Sequence, residues 1–154
     1  MDTTVFVGVI GAGSCSEDIY SLARELGFQI GKKSWALVCG GLGGVMEGAA
    51  RGCREAGGLT VGLLPGLDRE SANPYISVSL PTGLGDGRNL LVVRCADVLI
   101  SIAGSYGTLS EIALALKGGK TVIGLKTWEA IPGVQYAENC DEAIEMVERQ
   151  LLGA

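Results

Sequence analysis

The chain has 154 residues, 47% of them hydrophobic, a formal net charge of −5, five cysteines and no histidine, which makes it one domain, 1–154, with room for a sizeable core. The lack of histidine excludes imidazole acid–base catalysis, His-dependent triads and His-ligated metals, so no metal site is expected and chemistry must run on carboxylates, hydroxyls, Lys, Arg or backbone amides. No apolar run is long enough to span a membrane, no basic-then-apolar leader opens the chain and no basic cluster is interleaved with aromatics; the expectation is a cytoplasmic protein with no membrane and no nucleic-acid partner.

From the N-terminus, Val5–Ile10 predicts a buried strand, and Glu17–Lys32 a helix with Ile19, Leu22, Ala23 and Leu26 on one face. Ala36–Cys39 reads as a second strand, followed by a helix from Val45 to about Ala56. Thr60–Leu64 is a third strand and Ile76–Leu80 a shorter fourth. Between them the polar, proline-flanked segment Pro65–Pro74 reads as a surface loop over or near the site. A helix from about Gly87 to Cys95, a strand Asp97–Ile102, a helix Leu109–Lys117, a strand Thr121–Leu125 and a closing helix Asp141–Leu152 complete the pattern. Continuous apolar strands separated by helices imply an α/β protein: a Rossmann-like, doubly wound parallel sheet with helices on both faces. Ligands are then expected at the carboxyl ends of the strands.

Three glycine-bearing turns fall at such ends. The first, Gly11-Ala12-Gly13-Ser14, resembles part of a dinucleotide fingerprint but lacks its third glycine and the acidic residue some twenty positions on, which argues against NAD. Ser14 there either caps the first helix, with Glu17 as partner, or joins Gly13 in holding a ligand. The second turn carries Gly41, Gly43 and Gly44 and leads to Glu47, which either complements the helix dipole or accepts hydroxyl hydrogens from a sugar. The third, Gly104-Ser105-Tyr106-Gly107-Thr108, lies where a strand ends and a helix starts, so unpaired amides and the helix dipole favour an anion there. Thr108 and Glu111 have the spacing of a capping box; with a phosphate on those amides, Glu111 is instead free to hold a ribose hydroxyl or activate water. Arg88 is the upstream cation, with Arg94 as a second candidate, and Asp97 fixes the turn into its strand or pairs with Arg94. Most cysteines sit inside apolar runs and read as reduced, buried thiols; Cys15, after a glycine turn, is the accessible exception.

Three stretches, GSCS at 13–16, CGGLGGVMEGAARG at 39–52 and the segment from GRN at 87–89 to YGTLSE at 106–111, resemble the "lonely guy" phosphoribohydrolases, often labelled lysine decarboxylases, and their relatives the molybdenum-cofactor carrier proteins. The hydrolases carry an arginine upstream of PGGxGTxxE, and Arg88 and Glu111 match those positions and their 23-residue interval. Two departures stand out: the PGG becomes Ala103-Gly104-Ser105, and the second turn continues VMEG, as in the carrier branch, rather than LMG. The resemblance implies hydrolysis of the N-glycosidic bond of a nucleoside 5′-monophosphate, with Arg88 and Glu111 catalytic and no cofactor required. Its alternative is a carrier that binds the molybdenum cofactor as ligand without turnover. It also implies a homodimer or homotetramer. No lysine in a site turn is placed for the pyridoxal phosphate that the decarboxylase label implies.

Overall fold

The computed structural model describes residues 2–153. Seven parallel strands form one sheet: β1 (Phe6–Gly11), β2 (Ala36–Cys39), β3 (Thr60–Leu64), β4 (Val78–Pro81), β5 (Val98–Ile102), β6 (Thr121–Leu125) and β7 (Gln135–Tyr136), in the order β4-β3-β2-β1-β5-β6-β7. Five helices connect and cover them: α1 (Glu17–Lys32), α2 (Val45–Glu55), α3 (Arg88–Cys95), α4 (Tyr106–Lys117) and α5 (Cys140–Gly153).

Period-two alternation sorts the strand residues between two cores. Val7 and Val9 of β1 join Leu37, Ile100 and Ile123 on the face covered by α1, α2 and α5. Phe6 and Ile10 turn to the other face, against Val92 and Val93 of α3 and Ile112 and Ala115 of α4. β1 lies between β2 and β5, so the chain leaves it to opposite sides of the sheet. A crevice opens over the carboxyl ends at that reversal of strand order, where Gly11 pairs with Ile102.

Small residues let α1 and α2 meet backbone to backbone. A Cβ added at Gly27 would run into the backbone of Ala49, and one at Gly52 into the Arg24 carbonyl and the Phe28 amide. Neither neighbour is a movable side chain, so Gly52→Ala must push the helices apart. The expected cost is about 2 kcal/mol, read as a lower denaturation midpoint.

The observed elements depart from the sequence reading at four places. Ser16, not Ser14, caps α1: it directly precedes Glu17, and its hydroxyl accepts from the Ile19 amide at 3.3 Å. β4 starts at Val78 because Ile76 closes a turn, its amide donating to Asn73 O at 3.3 Å, and packs against the first core. β7 was missed, since two exposed residues carry no apolar signal. α4 begins three residues early, at Tyr106 rather than Leu109, through a glycine that usually argues against helix.

Candidate ligand-binding site

Three connections and the start of α3 surround a cleft of about 240 Å3 above the crevice. Gly11 ends β1 with no room for a side chain, since a Cβ there would strike the Ile102 carbonyl and Val45. The Val45 amide donates to Ala12 O at 2.9 Å and ties the first glycine turn to α2. In the second turn Gly41 and Gly44 have φ of 77° and 63°, a region glycine enters without penalty. Asn73 braces this turn: its amide donates to Gly41 O at 2.9 Å and its Nδ2 to Leu42 O at 2.8 Å. The Pro65–Pro74 loop therefore buttresses the site from behind, and none of its residues lines the cleft.

The third turn supplies the amides. Ser105 is the residue before α4, and the first intrahelical bond runs from the Leu109 amide to Ser105 O at 3.0 Å. The amides of Tyr106, Gly107 and Thr108 precede it and have no helical acceptor. Gly107 and Thr108 line the cleft, so these donors and the positive end of the helix dipole meet it together. Thr108 is the third helical residue, not the cap, and Ser105 makes no side-chain cap bond; the T-x-x-E spacing is therefore not a capping box here.

One turn further along α4, Glu111 is 9% exposed and lines the cleft. Among the described residues its carboxyl is in no ion pair, and burial and the Arg88 charge, with no hydrogen bond, are what act on it. Burial pushes it up to about 7, against the opposing pull of Arg88. Arg88 is held by the strand ends: Nη1 donates to the carbonyls of Gly40 and Leu63, the latter at 2.8 Å, and Nε to Asn89 Oδ1 at 2.8 Å. It is a fixed, half-buried cation that faces the cleft without neutralising Glu111 directly.

Of the sequence-predicted residues, Gly13, Arg88, Ser105, Gly107, Thr108 and Glu111 meet in this cleft. Gly41, Gly43, Gly44 and Gly104 shape the turns without lining it; a Cβ on Gly104 would collide with Thr108. Ser14 is exposed outside the lining, and Glu47, also outside it, lies beside Tyr20. The Tyr106 ring points outward, 80% exposed, 6.0 Å from the Trp128 ring. Arg94 borders a separate groove between α3 and α4, and Asp97 Oδ2 accepts the Phe6 amide at 2.8 Å rather than pairing with Arg94. Cys15 is half-buried, and burial and Glu47 both raise its thiol, so it is no activated nucleophile. Missed in the sequence were Leu42, Met46, Asp86 and Asn89, which also line the cleft. Met46 had a signal: it occupies the first turn of α2 much as Thr108 does that of α4. So did Asn89, next in chain to Arg88.

The family model described as the SLOG cluster4 family matches residues 4–151. Among curated proteins, one of Archaeoglobus fulgidus described as uncharacterized is 44% identical, over 90% of this chain and 91% of its own. The cytokinin riboside 5′-monophosphate phosphoribohydrolase of Mycobacterium tuberculosis is 30% identical, over 87% and 76%. Among solved structures, the molybdenum cofactor binding protein of Rippkaea orientalis superposes with a TM-score of 0.92 at 32% identity, covering 97% of this chain and 98% of that one. The molybdenum cofactor carrier protein of Chlamydomonas reinhardtii gives 0.90 at 34%, covering 97% and 99%.

Proposed function

The chain belongs to the SLOG cluster4 family, and from that premise we propose that it binds a small phosphorylated heterocyclic ligand of the molybdenum-cofactor class and carries it without turnover. The observation that carries this reading is the set of unpaired amides at Tyr106, Gly107 and Thr108, opening on the cleft beside Arg88. The ligand's phosphate rests on these donors, Arg88 balances its charge, and the ring lies toward Leu42 and Met46. The likeness to the molybdenum cofactor binding protein of Rippkaea orientalis and the molybdenum cofactor carrier protein of Chlamydomonas reinhardtii supports the ligand class. With burial holding it near 7, Glu111 has a substantial neutral fraction at neutral pH, and that form can donate a hydrogen bond to a phosphate oxygen.

A second reading is favoured by one specific observation. Arg88 and Glu111 occupy the positions of the hydrolase motif, and the chain is 30% identical to a phosphoribohydrolase. Under it, the ionised Glu111 stabilises positive charge developing on the ribose of a nucleoside 5′-monophosphate and activates water; no cofactor takes part. The two readings separate in one assay, in which a panel of nucleoside 5′-monophosphates is tested for release of free base by wild type and Glu111→Gln, and purified protein is tested for bound pterin. The carrier reading predicts no base release and pterin bound stoichiometrically to both proteins. Base release by wild type that vanishes in the variant establishes the hydrolase.

Self-association as a homodimer or homotetramer is part of the proposal. Among the described residues no helix is long and apolar enough to cross a membrane. A cytoplasmic setting, without nucleic-acid partners, is part of the proposal.

A further inference from the structure

The cleft does not end at Gly107. On the far side of that residue a second depression of about 560 Å3 opens between the starts of α3 and α4. The two spaces share Asp86, Asn89 and Gly107. The second is otherwise bordered by Leu90, Leu114, Tyr106 and Ser110. Gly107 forms the saddle between them, and nothing lies within 4 Å of where its Cβ would be, so a ligand can pass over it.

The sizes matter. Typical small-molecule sites hold roughly 300 Å3 or more, and the cleft alone, at about 240 Å3, falls short of that. A ligand confined to it would leave Leu90, Leu114 and the Tyr106 ring uncovered. That ring is backed by Trp128, whose own Nε1 is fixed on Ser105 O at 3.1 Å, so the pair forms a firm aromatic edge beside the second space. Asp86 sits on the saddle, and the unpartnered, nine-tenths-buried Glu111 faces the same anion seat.

We propose that the natural ligand is a phosphodiester or pyrophosphate joining two ring systems, its bridging phosphate on the Gly107 saddle, one arm in the cleft and the other against Leu90, Leu114 and the Tyr106–Trp128 edge. The inference rests on the phosphate seat at the start of α4 and names the ligand class that seat accepts: a nucleotide-extended ligand rather than a simple phosphomonoester.

The test is a calorimetric titration with two probes, adenosine 5′-monophosphate and the adenosine dinucleotide joined 5′ to 5′ by pyrophosphate, against wild type and Ser110→Trp. Ser110 is exposed, so the larger ring occupies the second depression without entering the core. The dinucleotide is expected to bind wild type about tenfold tighter, near 1.4 kcal/mol, and Ser110→Trp brings that ratio to about one. Trp128 emission gives an independent reading, changed by the dinucleotide and not by the monophosphate. A monophosphate that binds as tightly as the dinucleotide overturns the inference and leaves the phosphate seat standing. So does a monomer–oligomer shift in Ser110→Trp without an effect on the ratio, because the depression is then a surface between copies. Failure of both probes to bind removes the seat itself.

Discussion

Replacing Gly107 by Asp is expected to abolish binding of phosphorylated ligands without lowering the stability of the protein. Gly107 is the second residue of α4, and a side chain added there meets no atom within 4 Å, so the fold has no reason to change. A carboxylate in the first turn of a helix is favourable to the dipole, and the melting temperature should hold or rise slightly. That same carboxylate occupies the anion's place on the amides of Tyr106 to Thr108 and repels it. A loss of more than about 100-fold in affinity, near 2.7 kcal/mol, is expected. Calorimetry with a nucleoside monophosphate, beside a thermal melt of the same sample, reads both quantities. Retained affinity at an unchanged melting temperature would put the phosphate elsewhere.

Glu111→Gln has the second large effect, and it is a gain. In the folded protein burial raises this carboxyl to about 7 from its ordinary 4.5. Between those values the native state binds more protons than the unfolded state, so stability falls as pH rises. The favourable contribution is complete below 4.5 and lost as pH passes through 7, where a charge must be kept in a buried cleft. A shift of that size corresponds to about 3 kcal/mol. Glu111→Gln removes the ionisation, so at pH 8 the variant should be more stable than wild type by about that amount. The difference should shrink as pH falls through 7 and vanish below 4.5. Denaturant unfolding at four or five pH values checks it, and a pH-independent difference would mean that the carboxyl is solvated or paired.

The strands of the core were legible because burial on both faces makes them continuous apolar runs. β1, β2, β3, β5 and β6 all lie where such runs do, to within a residue at either end. Strand order was not, since register and neighbours are set by how Phe6, Val7, Ile10 and their partners pack, and each run alone permits several arrangements. Ser14 and Ser16 compete for one cap in a string of small polar residues, and only the position of the first helical turn separates them. The third glycine turn was legible as the connection from a strand to a helix, yet its boundary was not: Tyr106-Gly107-Thr108 reads as loop by propensity but is the first turn of α4. Arg88 and Glu111 stood out through their resemblance to a motif. Asn89 and Met46 did not, because each acquires its place in the cleft from a helix start that brings distant segments together.

Under the proposed function a phosphate sits on the free amides that open α4. Amide proton–nitrogen spectra of labelled protein, recorded while a nucleoside monophosphate is added, test it most directly. Gly107 and Thr108 are expected to shift furthest, with the Arg88 side-chain signals moving in step and all changes saturating together. Shifts centred on other segments, or none at concentrations that saturate binding, would contradict it.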